Sequence, residues 1–262
     1  MHKSNGGYDF WDKEKDKILE LYFQKNLSSN KIGEIYNCNG STILRQFKRW
    51  GIETKKRYNA IYKVNEDFFS VIDTEEKAYC LGLILTDGHV SKGNTIMLTM
   101  KDLDIIEKFQ SALNSNHPIK FKNKCWSINI RSKRLCDDLR NIGLHNQKSY
   151  YIDFNKVLSF VPKELLHHFV RGMFDGDGCI QVYKYDYLKK PQYHFGYTGL
   201  KEICEFVQHF LGFNNKLIEE SDFIYTCKTR DLDKIREIYE ILYKDSHIFL
   251  DRKYNVFKNK II

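Results

Sequence analysis

Two stretches, CLGLILTDG at Cys80–Gly88 and VRGMFDGDG at Val170–Gly178, spell nearly the same thing. Each is an apolar run with glycine at its third position, Gly82 and Gly172, and each ends in Asp-Gly, at Asp87-Gly88 and Asp177-Gly178. Taken singly, an Asp-Gly after an apolar helix reads as a cap and a turn. The same arrangement twice, in phase, predicts a duplicated chain with one acid from each half.

Later landmarks recur in the same order. Thr99 pairs with Thr198, Leu135 with Leu232, and Lys148 in LHNQKSYYI with Lys253 in IFLDRKYNVF. The spacing drifts because the second copy carries a longer hairpin, YKYDYLKKPQY, and insertions at hairpin tips cost little loop entropy. Each copy opens with an apolar helix, Ala78–Thr86 and Leu165–Gly176, stopped by glycine. Strands follow: Ile96, Leu98 and Met100 alternate with Thr95, Met97 and Thr99. A helix comes next (Asp102–Asn114; Lys201–Leu211). Two more strands set Ile119, Phe121, Trp126, Ile128 and Ile130 against Lys120, Lys122, Ser127, Asn129 and Arg131. A closing helix (Lys133–Ile142; Leu232–Tyr243) completes an αββαββ-α unit. The expected class is α+β, with helices on one face of each antiparallel sheet. The halves are expected at 73–160 and 161–262.

Composition narrows the partners. A hydrophobic content of 42% excludes global disorder, and no apolar run reaches the ~20 residues that span a bilayer. The seven cysteines are odd in number, scattered and never spaced CxxC, which argues against disulfides and structural zinc and for a reducing, cytoplasmic setting. Net charge is +8, and most of it falls in residues 1–63. A basic first module points to a polyanion, most simply nucleic acid.

Residues 1–53 read as a helix-turn-helix domain, and 54–72 as a linker. Three helical stretches are expected: DKEKDKILELYFQKN, SSNKIGEIYN and GSTILRQFKRWGI. Ser28 or Ser29 caps the second and Ser41 the third, with a short Asn37–Gly40 turn between. Ile18, Leu21, Ile32, Ile35, Ile43, Leu44 and Phe47 form the expected core. Ser41, Thr42, Arg45, Gln46 and Arg49 then face outward, side chains suited to base edges and phosphates.

The paired motifs resemble those of the LAGLIDADG homing endonucleases in their single-chain, two-motif form, over about residues 73–258. The second motif matches well; the first has Leu85 and Thr86 where Asp or Gly and Ala are usual. The resemblance implies that Gly82 and Gly172 let two motif helices approach at a pseudo-dyad, and that Asp87 and Asp177 emerge together as catalytic acids. Two close carboxylates need a shared proton or a cation, and hard oxygen donors suit Mg²⁺, with Mn²⁺ expected to substitute. Thr86 and Gly176 would add backbone carbonyls to the metal set. Lys148 and Lys253 are implied to approach the scissile phosphate. The sheets would form a saddle on double-stranded DNA, offering Lys120, Lys122, Ser127, Asn129 and Arg131 from the first half. The second half would offer Gln181, Tyr183, His194, Thr198, Thr226 and Lys228. A one-residue register error would flip each set to its other face.

The implied activity is a metal-dependent double-strand break at a long asymmetric target, leaving short 3′ overhangs. The expected agent is a monomer with no obligate protein partner and no membrane association, associated with the nucleoid when bound. The chain has no splice-type ends, so an intron-encoded or free-standing mobile element is expected rather than an intein. Two alternatives stay open: a non-cleaving DNA-binding regulator on the same fold, and an intron RNA maturase. Adjacent His167 and His168 read as packing residues, because neighbours in a helix do not chelate one ion.

Overall fold

The computed structural model describes residues 8–54, 62–145, 152–184, 187 and 189–262. They fall into two compact units, Met1–Tyr62 and Lys63–Ile262. Among the described residues no helix is long and apolar enough to cross a membrane.

The smaller unit is all helical: α1 (Tyr8–Lys13), α2 (Lys15–Leu19), a π-helical turn (Glu20–Gln24), α3 (Ser29–Ile35) and α4 (Gly40–Arg49). Its core is Trp11, Ile18, Tyr22, Ile32, Ile43 and Phe47. Ile35, expected inside, is 57% exposed. The buried stripe of α3 runs through Ser29, Ile32 and Gly33, and Ile35 falls beside it. Ser28 caps α3, accepting from the Lys31 amide at 3.2 Å. Ser41 does not cap α4: the N-cap is Asn39, and Ser41 sits inside the first turn. Glycine explains the earlier start. A Cβ on Gly40 would lie 2.1 Å from Asn30 Oδ1, so the chain enters α4 where only glycine fits against α3.

The larger unit is built twice from one plan. In its first half α5 (Glu75–Thr86) leads to β1 (Gly88–Val90), β2 (Thr95–Met100), α6 (Leu103–Ala112), β3 (Ile119–Lys122), β4 (Cys125–Arg131) and α7 (Lys133–Ile142). A connection follows through α8 (Phe154–Ser159) and a 3₁₀ turn (Lys163–Leu165). The second half repeats the order: α9 (Leu166–Asp177), β5 (Gly178–Tyr183), β6 (Gln192–Leu200), α10 (Lys201–Phe210), β7 (Ile218–Ser221), β8 (Ile224–Thr229) and α11 (Leu232–Tyr243). A final helix, α12 (Asp251–Lys260), closes the chain. The sheet orders are the same in both halves, β1-β2-β4-β3 and β5-β6-β8-β7, antiparallel throughout.

Alternation holds on the strands. Ile96, Leu98, Ile128 and Ile130 are buried against the helices, and the register pairs Ile96 with Ile130 and Leu98 with Ile128. Phe121 departs from it. Expected inward, it is 60% exposed and packs on Trp126 at 4.7 Å, where β3 forms the edge of the sheet. Of the stretch 54–72 read as a linker, Phe68, Phe69 and Ile72 are buried in the core of the larger unit, which begins at Lys63. Their apolar side chains pack as part of that core rather than as a spacer.

Candidate active site and nucleic-acid face

Helices α5 and α9 are buried along most of their length and lie against each other through their glycines. A Cβ on Gly82 would sit 2.2 Å from the Phe169 carbonyl oxygen, and one on Gly172 would sit 2.1 Å from that of Tyr79. The reciprocity identifies a local pseudo-dyad. Two backbones approach this closely only where neither carries a side chain. Where the chain leaves each helix, glycine is needed again, now against the helix's own last turn: a Cβ on Gly88 would meet Ile84 Cα at 2.6 Å and one on Gly178 the Phe174 carbonyl oxygen at 2.5 Å.

Both motif acids are exposed at the ends of these helices. They converge: a Cβ on Gly176 would be 2.7 Å from Asp87 Oδ2 and 2.0 Å from Thr86 Oγ1, and Asp177 is the next residue. The buried Tyr197 hydroxyl and the Lys253 ammonium each feel both carboxylates. A cleft of about 320 Å³ opens beside Asp177, lined by Leu85, Thr86, Tyr197, Thr198 and Ile203 among others. The donors at this point are two carboxylates and nearby carbonyls, all hard oxygens. Among the described residues no group of three or more His, Cys, Asp or Glu side chains is placed to hold a metal ion. A divalent ion here would therefore need water or phosphate oxygens to complete its shell, which suits Mg²⁺.

The two late lysines are not equivalent in what can be said of them. Lys148 lies outside the described residues. Lys253 does not reach out toward a phosphate. It is 3% exposed, and its ammonium donates to the carbonyl oxygens of Phe174 (2.5 Å), Asp175 (2.8 Å) and Gly176 (3.3 Å). Its three protons are thus engaged beneath the site, and burial lowers its pKa to about 8. The Gly176 carbonyl, expected among the metal ligands, already accepts from this cation.

Sequence reasoning missed a buried polar network behind the second motif. Arg171 is fully buried. It donates from Nε to the Ile248 carbonyl (2.9 Å), from Nη1 to the Leu242 carbonyl and to His168 Nδ1 (each 2.8 Å), and from Nη2 to Glu75 (2.6 Å). Asp175, also buried, accepts from the Tyr79 hydroxyl (2.7 Å), the Tyr243 hydroxyl (3.1 Å) and the Leu250 amide (2.8 Å). Burial pushes the Asp175 carboxyl upward, against the pull of Lys253 and these donors. The signal was legible: Arg171 and Asp175 are one turn apart on a helix otherwise apolar around them.

The sheet faces turned away from the helices carry the expected polar sets. Lys120, Lys122, Asn129 and Arg131 are exposed and Ser127 half-buried, with Ser127 paired to Lys120 and to Thr99 and Asn129 to Met97 across the strands. In the second sheet Gln181 and Tyr183 are exposed and contact each other. Thr198 and Thr226 hydroxyls meet at 2.8 Å, and Lys228 is half-buried opposite Gly196. His194 Nε2 is buried without a hydrogen-bond partner, and burial, with Lys228 and Arg230 nearby, lowers its pKa and keeps the ring neutral. His89, Thr95 and Thr99 share the first face and were not among the expected residues.

On α4 the outcome is divided. Ser41 and Arg45 are exposed and Thr42 half-buried. Gln46 is buried (5% exposed) and does not face outward. Its side chain accepts from Arg49 Nε at 2.9 Å, and Arg49 also forms an ion pair with Asp12. Arg49 itself is exposed, as expected, and it ties α4 to α1 at the surface.

Comparison with known proteins bears on the fold of the larger unit. Residues 74–140 match the family model described as a LAGLIDADG-like domain. No curated protein matches the chain in sequence. Among solved structures, I-SmaMI bound to uncleaved DNA target in the presence of calcium ions is 16% identical with a TM-score of 0.50, covering 70% of this chain and 88% of that one. The LAGLIDADG homing endonuclease I-LtrWI bound to target DNA is 12% identical at a TM-score of 0.48, covering 75% and 92%. I-GzeII in complex with its DNA target is 15% identical at 0.49, covering 70% and 87%. At 16% identity and a TM-score of 0.50, what I-SmaMI shares with this chain is the fold.

Proposed function

We infer that this chain, whose residues 74–140 form a LAGLIDADG-like domain and whose larger unit carries that fold twice, is a site-specific DNA endonuclease of the homing type. The observation that carries the reading is the convergence of Asp87 and Asp177 at the ends of two helices locked together by reciprocal glycines. Structural support alone would not require two exposed carboxylates brought together there. Close carboxylates repel unless a cation sits between them. In this reading Asp87 and Asp177 hold Mg²⁺, with the Thr86 carbonyl as a further donor. Bound there, the ion would activate water and stabilise charge on the scissile phosphate. Asp87 and Asp177 orient the oxygens around it, and Lys148 is proposed to lie near the attacking water. Two pseudo-symmetric sites acting on opposite strands make a double-strand break, with short 3′ overhangs.

The open faces of the two sheets supply target contacts. Lys120, Lys122 and Arg131 hold phosphates, while Ser127, Asn129, Gln181, Tyr183, His194, Thr198, Thr226 and Lys228 are candidates for base edges. The helical unit, with Ser41, Thr42 and Arg45 exposed or half-exposed on α4, acts in this proposal as a second DNA-binding module of helix-turn-helix type.

Selection of cleaved sites from a randomised plasmid library in Mg²⁺ tests the proposal, with Asp87→Asn and Asp177→Asn beside the native chain. Double-strand cuts at one long sequence are expected, falling at least ~100-fold in either variant, as for a lost charge-stabilising group. Selective DNA binding with no cut in Mg²⁺ or Mn²⁺ would transfer the chain to the regulators, and selective binding of an intron transcript to the maturases.

A further inference from the structure

The buried tyrosines of the larger unit do not all use their hydroxyls in the same way. Tyr79 and Tyr243 donate to Asp175 at 2.7 and 3.1 Å. Tyr197 is as deeply buried, at 2% exposed, yet its hydroxyl makes no hydrogen bond among the described residues. A buried polar group without a partner destabilises the fold and calls for an explanation. Packing does not supply one. In the first sheet Gly88, which follows Asp87, faces Leu98 across the strands; in the second Gly178, which follows Asp177, faces Tyr197. Leu98 is fully buried, so a purely apolar side chain fills the matching place.

The ring of Tyr197 runs along β6 toward Gly199, where a Cβ would lie 3.2 Å from Tyr197 Cε1 and 3.7 Å from its hydroxyl oxygen. Gly199, Leu200 and Ile203 line the cleft of about 320 Å³ beside Asp177, as does Tyr197 itself. The hydroxyl end of the ring is therefore at the wall of that cleft, in space that the glycine leaves open. Burial first, and then the Asp177 carboxylate, raise its pKa well above the usual phenol value, with Asp87 acting in the same sense. The hydroxyl thus keeps its proton and is a donor. A water in such a cleft needs about two to four polar partners. Tyr197, Asp177, Thr86 and Thr198 are the polar members of this lining, and the rest is apolar or glycine.

We propose that Tyr197 is a catalytic residue: its hydroxyl donates a hydrogen bond to an oxygen that occupies the cleft beside Asp177 during cleavage. Water and the scissile phosphate both offer such an oxygen, and both accept from a phenol in the same way. The effect on rate rests on the nuclease reading above; the direction of the hydroxyl rests on geometry alone.

The test uses the full chain, native and Tyr197→Phe, which removes the hydroxyl and keeps the ring. Single-turnover cleavage of the selected target in Mg²⁺ should slow roughly 10- to 100-fold, as for a lost donor to a charged oxygen. Target affinity without divalent ion should change less than about threefold, because the bond is made at the reacting centre. The Tm should hold or rise slightly, since an unpartnered hydroxyl contributes nothing to the fold. An unchanged rate overturns the proposal. So does a Tm loss beyond about 4 °C, which would mean that the hydroxyl is bonded within the protein. Phosphorothioate at the scissile positions separates the two oxygens. Losses from sulfur and from Tyr197→Phe that fail to multiply assign the phosphate, and losses that multiply assign water; both uphold the donor. A high-resolution crystal structure without DNA gives a readout independent of cutting. An ordered water on the Tyr197 hydroxyl, within the cleft, is expected in the native chain and not in Tyr197→Phe. A dry cleft, or a hydroxyl bonded to the protein, overturns the proposal. A native chain that binds its target without cutting sinks the nuclease reading and the catalytic role together, and the cleft water still decides where the hydroxyl points.

Discussion

The two motif helices present the same acid at the same place from unlike interiors. Helix α5 buries Ala78, Tyr79, Cys80, Leu81, Leu83, Ile84 and Leu85, a stripe with no charge in it. Helix α9 buries His168, Arg171 and Asp175 within its own stripe. What they share is backbone geometry at the glycines; what differs is the means of fixing the helix. One gives Glu75 and the Tyr79 hydroxyl to its partner's network but is otherwise held by apolar packing, which is adaptable and weakly directional. The other is held by a buried network in which each donor and acceptor has a named partner, which is directional and intolerant of partial loss. A duplicated fold can thus keep two acids in register while their supports diverge.

The sharpest way to break this comparison is one substitution made at both matching positions. Leu81→Met conserves volume in an apolar environment and should cost less than about 1.5 kcal/mol. Arg171→Met strands Glu75, two backbone carbonyls and His168 without their shared donor. Removing one member of a buried ionic network costs about 3–5 kcal/mol, which in a unit of this size lowers Tm by roughly 10 °C. Thermal unfolding followed by circular dichroism decides it. Similar losses at the two positions would mean the network is incidental.

The glycines should behave oppositely, because there the halves are alike. Alanine at Gly82 or Gly172 would gain about 1 kcal/mol in helix propensity. Its Cβ would nonetheless lie 2.2 or 2.1 Å from a facing carbonyl oxygen, so the helices must separate. Overpacking of this kind costs about 1–3 kcal/mol or somewhat more, leaving a net loss near 2 kcal/mol and a Tm drop of ~4–8 °C for either variant. Losses that differ by more than about 1 kcal/mol between the two variants would show that the pseudo-symmetry does not extend to the contact itself.

These contrasts mark what was readable beforehand. The duplication, the strand faces and the paired acids are local patterns: period two on a strand, a motif repeated in phase. Lys253 was not readable as a cap, because its partners are distant in sequence and meet it only when α12 folds back on α9. Gln46 failed for a related reason: helical spacing placed it outward, but it is buried and accepts from Arg49, which stays exposed and pairs with Asp12 on α1. Ile35 and Phe121 are apolar residues at the margins of their elements, where periodicity continues but the opposing layer has ended.

The smallest effect expected is a pH dependence confined to the polar half. His168 accepts from Arg171 and is therefore neutral; burial first, and then the neighbouring guanidinium, lower its pKa to about 4. A depressed pKa means the unfolded chain binds the proton more readily. The contribution of His168 is then present above the ordinary histidine range near 6.5 and is lost as pH falls from there toward 4. His247 has the opposite sign. Its hydrogen bond to Glu75 raises its pKa, so its contribution is present below about 6.5 and fades as pH rises. His247 is 82% exposed on its side chain, so solvent screens it and His168 dominates. Between pH 7 and pH 5 the Tm should fall by ~2–4 °C from this source, for about 1 kcal/mol. Measured against the native slope, His168→Asn should flatten that limb and His247→Asn steepen it slightly. A limb unchanged in His168→Asn would place the acid sensitivity outside the network, and the contrast between the two helices would then rest on packing and the buried ion pair alone.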